Sequence, residues 1–145
     1  MEPFHVLVVD DEVDFVNTLV KRLNMRHVNA YGATNGPEAL RLIDQKPMDV
    51  VVLDVKMPGM DGIEVLREIK SRHPLVEVIM LTGHARLEVA IEGLEAGAFD
   101  YLMKPINMDE LLYKLQDAYK KKSIQGEKIR RMAEMERPSG RASDG

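Results

Sequence analysis

Val50-Val51-Val52-Leu53-Asp54 is a run of four apolar residues stopped by a carboxylate, followed by Val55-Lys56-Met57-Pro58-Gly59-Met60-Asp61-Gly62, which has the punctuation of a loop. The run is too short for a helix and rich in β-branched side chains, so it predicts a strand buried on both faces. Its carboxyl end carries Asp54 to the rim of a sheet, where open α/β folds bind their ligands. One strand-end aspartate says little, since Asp is common wherever a turn begins. Its meaning depends on what the other strands deliver to the same rim.

His5-Val6-Leu7-Val8-Val9 is a second apolar run that ends on acid, Asp10-Asp11-Glu12. Val13, Val16, Leu19, Val20 and Leu23 then recur at helical spacing. Acids in that turn suit the first turn of a helix, where free N–H groups and the dipole favour negative charge. They equally suit a cluster of ligands, and the turn by itself leaves both open. Val28-Asn29-Ala30-Tyr31 predicts a short strand. Gly36-Pro37-Glu38 opens a helix with Ala39, Leu40 and Ile43 inward. Beyond the Val50 run, Ile63, Leu66 and Ile69 mark a helix that stops before Pro74. Val76-Glu77-Val78-Ile79-Met80-Leu81 is a strand leading into Thr82-Gly83-His84, and Leu87, Ala90, Ile91 and Leu94 form a helix closed by Gly97. Phe99-Asp100-Tyr101-Leu102-Met103 runs into Lys104-Pro105, and a fifth helix carries Met108, Leu111, Leu112, Leu115 and Tyr119 inward.

Five strands alternating with five helices predict an α/β fold with a doubly wound parallel sheet. Right-handed crossovers put the strand ends on one edge. Asp10, Asp11, Asp54, Thr82 and Lys104 therefore share a rim. Independent helix caps would not also supply a threonine and a lysine.

Composition narrows the field. The chain has 145 residues, 45% of them apolar and a net charge of −4, which suits one domain with a real core and lacks the basic footprint of a nucleic-acid binder. With no cysteine, disulfides and cysteine metal sites are excluded. His5, His27, His73 and His84 show no metal-ligand spacing and are taken as ordinary histidines. No stretch approaches membrane-spanning length and no signal-peptide pattern opens the chain, so a soluble, cytoplasmic protein is expected. Beyond Lys122 the chain turns charged, and Gly126 is expected to interrupt any helix. The expected division is a folded domain over 1–122, its fifth helix ending near Lys122, and a charged helical or disordered tail over 123–145.

Three carboxylates and an ammonium at a polar rim suit Mg²⁺, which keeps several waters and needs few protein ligands. A cation would offset a repulsion of about 4 kcal/mol for one pair of charges 4 Å apart at an effective dielectric of 20. A carboxylate there can act as nucleophile toward a phosphoryl group, with lysine and metal neutralising the transferring oxygens.

Val8-Val9-Asp10-Asp11-Glu12, Leu53-Asp54-Val55-Lys56-Met57-Pro58-Gly59-Met60-Asp61-Gly62, Leu81-Thr82-Gly83-His84, Gly97-Ala98-Phe99-Asp100-Tyr101 and Lys104-Pro105 together resemble the response-regulator receiver domain of two-component signalling. The resemblance covers about His5 to Lys120, with wording nearest to receivers of nitrogen-regulation-type activators. It implies a flavodoxin-like sheet of order 2-1-3-4-5 and a phosphorylation-activated switch rather than an enzyme, with only self-phosphorylation and autodephosphorylation chemistry. It implies Asp54 as phosphoacceptor, Mg²⁺ on Asp10, Asp11, Asp54 and the Lys56 carbonyl (Asp10 mainly through water), and Lys104 on the phosphoryl oxygens. Thr82 and Tyr101 are implied as switch residues that remodel the face made by the fourth helix, fifth strand and fifth helix, through which two copies could also pair. Lys56 and His84 fall where the family tunes phosphoryl lifetime. A cis Lys104–Pro105 bond is expected after the fifth strand. The implied partner is a sensor histidine kinase or phosphotransfer protein, with no direct nucleic-acid or membrane binding. Either a stand-alone receiver or the first part of a longer regulator would fit.

Three rival readings fit less well, and one of them, a phosphorylation-blind interaction domain, is disfavoured because all of the acceptor residues are intact. A haloacid-dehalogenase-type phosphatase also uses a strand-end aspartate as nucleophile but resembles Asp-x-Asp, and Lys56 stands at the second acid. A nucleotide-binding switch lacks any G-x-x-x-x-G-K-[ST] or G-x-G-x-x-G sequence.

Overall fold

The computed structural model describes residues 4–56, 61–83 and 87–136. Met57–Met60, His84 and the tail from residue 137 onward, all addressed from sequence, lie outside the described residues. The elements alternate as β1 (His5–Val9), α1 (Val13–Asn24), β2 (Asn29–Ala33), α2 (Gly36–Gln45), β3 (Val50–Asp54), α3 (Gly62–Arg72), β4 (Glu77–Thr82), α4 (Leu87–Glu95), β5 (Asp100–Met103) and α5 (Met108–Met135). All strand pairs are parallel and the order is β2-β1-β3-β4-β5, as expected.

Burial explains why the strands read as unbroken apolar runs. All five residues of β3 are buried, because helices cover both sheet faces. One face presents Leu7, Val9, Val51, Leu53, Val78 and Met80 to α2 and α3, through Leu40, Ile43, Leu66 and Ile69. The other presents Val6, Val8, Val50, Val52, Ile79 and Leu81 to α1 and α5, through Leu19, Leu23, Leu111 and Leu115. This alternation follows from the two-residue period of a strand. Phe4 stacks on Tyr119, centroids 4.8 Å apart, and draws α5 against the chain start.

Caps fix where helices begin. Asn35, Asp61 and Asn107 each accept a backbone N–H into their own helix start. Gly97 ends the α4 connection at φ +110°, a conformation costly for any residue with a Cβ. The Lys104–Pro105 bond is cis, as expected.

One expectation is corrected. The fifth helix does not end near Lys122: α5 continues through Gly126 to Met135. A glycine in an exposed helix costs only about 1 kcal/mol relative to alanine, too little to break a run of good helix formers. Local and tertiary pairs offset that cost: Arg130 bonds Glu127 one turn away, and Lys122 Nζ donates to Asp49 Oδ1 at 2.9 Å. Asp49 also accepts the His5 amide, so α5 is tied to the start of β1 and to the residue before β3.

Candidate functional site: an acidic rim facing a lysine

Sheet register assembles the site. Val9 pairs with Leu53, so the next residue on each strand, Asp10 and Asp54, emerges side by side. Thr82 pairs with Met103, which sets Lys104 beside the end of β4, and the Lys104 amide donates to the Thr82 carbonyl at 2.8 Å. Asp10, Asp11 and Asp54 each bring a carboxylate oxygen within 4.8 Å of the others. Asp10 and Asp54 are buried, whereas Asp11 is exposed. The five rim residues expected from sequence thus meet at one end of the sheet.

The packing under this rim depends on Gly62. Its amide donates to the Val55 carbonyl at 3.1 Å, bringing α3 directly against the end of β3. A Cβ at this position would lie 2.5 Å from Val55 Cα and 2.6 Å from the Asp54 carbonyl oxygen. Only glycine fits there without moving backbone.

Burial is the largest influence on Asp54, and with the nearby Asp10 charge it raises the carboxyl from 3.8 to about 6. Lys104 and the Lys56 amide, which donates to Asp54 Oδ1 at 3.4 Å, pull the other way without cancelling the rise. Lys104 Nζ donates to Asp10 Oδ2 at 2.6 Å and to Glu12 Oε1 at 3.3 Å. Burial alone would lower this ammonium, but the Asp10 bond and the charges of Asp10 and Asp54 hold it above its ordinary value. Its charge also faces the Phe15 ring, 4.6 Å from the centroid. Thr82 is buried at the end of β4. Tyr101 is half-buried and packs against the α2–α3 side of the core.

The acids after β1 are not primarily helix caps. Glu12 is the N-cap of α1 yet makes no side-chain cap bond, and Asp10 Oδ1 accepts the Glu12 amide within the turn. Nothing in the sequence marks Glu12 and Phe15 as neighbours of Lys104, because the Glu12 contact spans 92 residues and Phe15 lies outside the rim motifs.

Comparison with known proteins places these features in a family. Residues 6–116 match the family described as response regulator receiver domain. A response regulator NtrX-like protein of Rickettsia bellii is 37% identical over 131 residues, which cover 89% of this chain and 27% of that protein. The DNA-binding transcriptional regulator NtrC of Escherichia coli is 41% identical over 105 residues, 72% of this chain and 22% of that one. The chain thus spans about a quarter of the length of these relatives. A crystal structure of NtrX from Brucella abortus superposes with a TM-score of 0.82 at 31% identity, covering 87% of this chain and 29% of that one.

Proposed function

Because the chain belongs to the response-regulator receiver family, we propose that Asp54 accepts a phosphoryl group from a histidine kinase or phosphotransfer protein. The observation that carries this is the convergence of Asp10, Asp11, Asp54 and Lys104 at one rim. The family match runs against the haloacid-dehalogenase-type alternative.

The donor set fits Mg²⁺. Three carboxylates lie within 4.8 Å of one another, and burial, together with the neighbouring Asp10 charge, pushes Asp54 up to about 6. Asp10, Asp11, Asp54 and the Lys56 carbonyl would hold the ion, Asp10 mainly through water. Bound there, it supplies charge neutralisation for the phosphoryl oxygens. An Asp54 oxygen attacks phosphorus in line, the bond from phosphorus to the donor breaks, and the donor leaves with the bonding pair and takes up a proton. Lys104 moves onto a phosphoryl oxygen, and the Thr82 hydroxyl donates to another. Water later cleaves the acyl phosphate, returning Asp54 and inorganic phosphate. No other turnover is expected of this chain.

Tyr101 follows Thr82 inward, which changes the surface of α4, β5 and α5. Ile91, Leu94, Met103 and Tyr113 are exposed on these three elements, which supports this face as the one through which two copies pair. With net charge −4 and an acidic rim, the chain is not expected to bind nucleic acid directly. Among the described residues no helix is long and apolar enough to cross a membrane. The receiver unit is proposed to occupy 1–122, with the remainder of α5 as a connecting segment, and the cytoplasm is its proposed setting.

The test is a small-molecule phosphodonor with Mg²⁺, followed by intact mass. One base- and hydroxylamine-labile phosphoryl group is expected on the wild type and none on Asp54→Asn. Equal labelling of the two would refute the assignment.

A further inference from the structure

Glu12 occupies the N-cap of α1, from which a polar side chain ordinarily accepts the helix's first free N–H groups. It does not do so here. Its carboxylate reaches across to Lys104, which is thereby flanked by Asp10, Glu12 and the ring of Phe15, all contributed by the chain between β1 and the first turn of α1. Asp54 is not among the hydrogen-bond partners of that ammonium. The two acids holding it differ in kind. Asp10 is wholly buried and belongs to the group of carboxylates around Asp54. Glu12 is 68% exposed and lies outside that group, so its pull draws the ammonium toward α1 and solvent.

We propose that Glu12 is a positioning residue that parks Lys104 over the β1–α1 turn, so that the ammonium reaches a phosphoryl group on Asp54 only after leaving Glu12. This rests on the assignment of Asp54 as phosphoacceptor. An exposed ion pair is weak and screened by salt, so the hold is modest, roughly two- to fivefold in rate. Its use is to set how readily the receiver charges without touching the acceptor, the metal ligands or the lysine itself.

Loss of Glu12 could speed phosphorylation for a duller reason, less repulsion of an anionic donor. Two variants separate the causes. Glu12→Gln removes the charge, whereas Glu12→Asp keeps it but withdraws the carboxylate by about one C–C bond, about 1.5 Å, which breaks a 3.3 Å contact. With acetyl phosphate and Mg²⁺, both variants should charge roughly two- to fivefold faster than wild type at low salt. The advantage should vanish near 1 M salt, where the Debye length is about 3 Å. Wild-type behaviour of Glu12→Asp beside a faster Glu12→Gln would overturn the proposal in favour of repulsion, and so would two unaltered variants. A second readout needs neither donor nor metal: the Lys104 side-chain ammonium signal in NMR should move in both variants, and an unmoved signal overturns the contact. A wild type that takes no phosphoryl group would sink the phosphoacceptor assignment, and this rate effect with it, while the NMR arm still reports on the contact separately.

Discussion

Lys121 Nζ stands 3.4 Å from Oε2 of Glu77, a carboxylate 1% exposed at the foot of β4. Lys70, from the last turn of α3, approaches the other oxygen at 3.8 Å while donating to the Pro74 and Val76 carbonyls. Neither carboxylate oxygen receives a hydrogen bond from the described residues, so the two cations are what offset its desolvation. Burial pulls the Lys70 ammonium below its usual range, and Lys121 adds to that against the opposing charge of Glu77. Removing one partner of a buried pair leaves an uncompensated charge, at a cost of several kcal/mol. Because Lys70 remains, Lys121→Ala should cost about 2 kcal/mol, read from urea midpoints. In a Glu77→Gln background the same change should cost no more than about 0.5 kcal/mol. Equal costs in both backgrounds would show that α5 is not held through Glu77.

That contact also marks where sequence stopped being informative. The rim was legible because each of its residues directly follows an apolar strand run, and parallel strands with right-handed crossovers end on one edge. Asp10, Asp11, Asp54, Thr82 and Lys104 needed no contact information beyond that rule. Glu77 interrupts an apolar run with no local sign of its role, since its cations lie 7 residues before and 44 residues after it in the chain. Glu12 reads as one more acid in a turn, and nothing local says that its side chain leaves the start of α1 for Lys104. The length of α5 is not legible from Gly126 alone, because the helix formers and pairs around it outweigh one glycine.

Gly62→Ala tests how tightly α3 seats the acceptor strand. The added Cβ would meet backbone at 2.5 and 2.6 Å, and backbone cannot rotate away as a flexible side chain can. Overpacking of this kind costs about 3 kcal/mol, and the displaced carbonyl is that of Asp54 itself. The variant should lose stability in urea and charge more slowly under conditions where it remains folded. Wild-type stability would mean that α3 shifts freely against β3.

Gly126→Ala is expected to act in the opposite direction. Among the described residues, nothing besides its own helix backbone and chain neighbours lies within 4 Å of where its Cβ would stand, so the substitution adds helix propensity without a clash. It should raise the stability of the α5 extension by up to about 1 kcal/mol, seen as greater helical circular dichroism and slower amide exchange from Ile124 to Met135. Unchanged exchange there would mean that the extension is held by something other than its own helix-forming tendency. Sedimentation of a chain ending at Lys122 complements it: an unchanged oligomeric state would remove the extension from any self-association.

Asp54→Asn should stabilise the metal-free protein, and the sign follows from burial. Desolvation first, then the Asp10 charge, raise the Asp54 carboxyl from 3.8 to about 6. Between these values the folded protein holds a proton that the unfolded chain has released. The contribution of this group is therefore fully present below about pH 4, and it is lost as pH rises through about 6. Above that, an ionised Asp54 weakens the fold by up to about 3 kcal/mol, at about 1.4 kcal/mol for each pH unit between the two values. Asparagine keeps the shape, carries no charge and leaves this pH dependence behind. In EDTA at pH 7.5 the variant should unfold at higher urea than wild type, and the gap should close on acidification toward pH 4. Mg²⁺ should close it from the other side by stabilising wild type, since an ion that binds only the assembled rim favours the folded state. The variant, short of one carboxylate ligand, should gain less from the ion. If Asp54→Asn instead unfolds at lower urea at pH 7.5 without metal, the carboxylate is a structural hydrogen-bond acceptor at the end of β3, and its raised proton affinity is not what limits the stability of the rim.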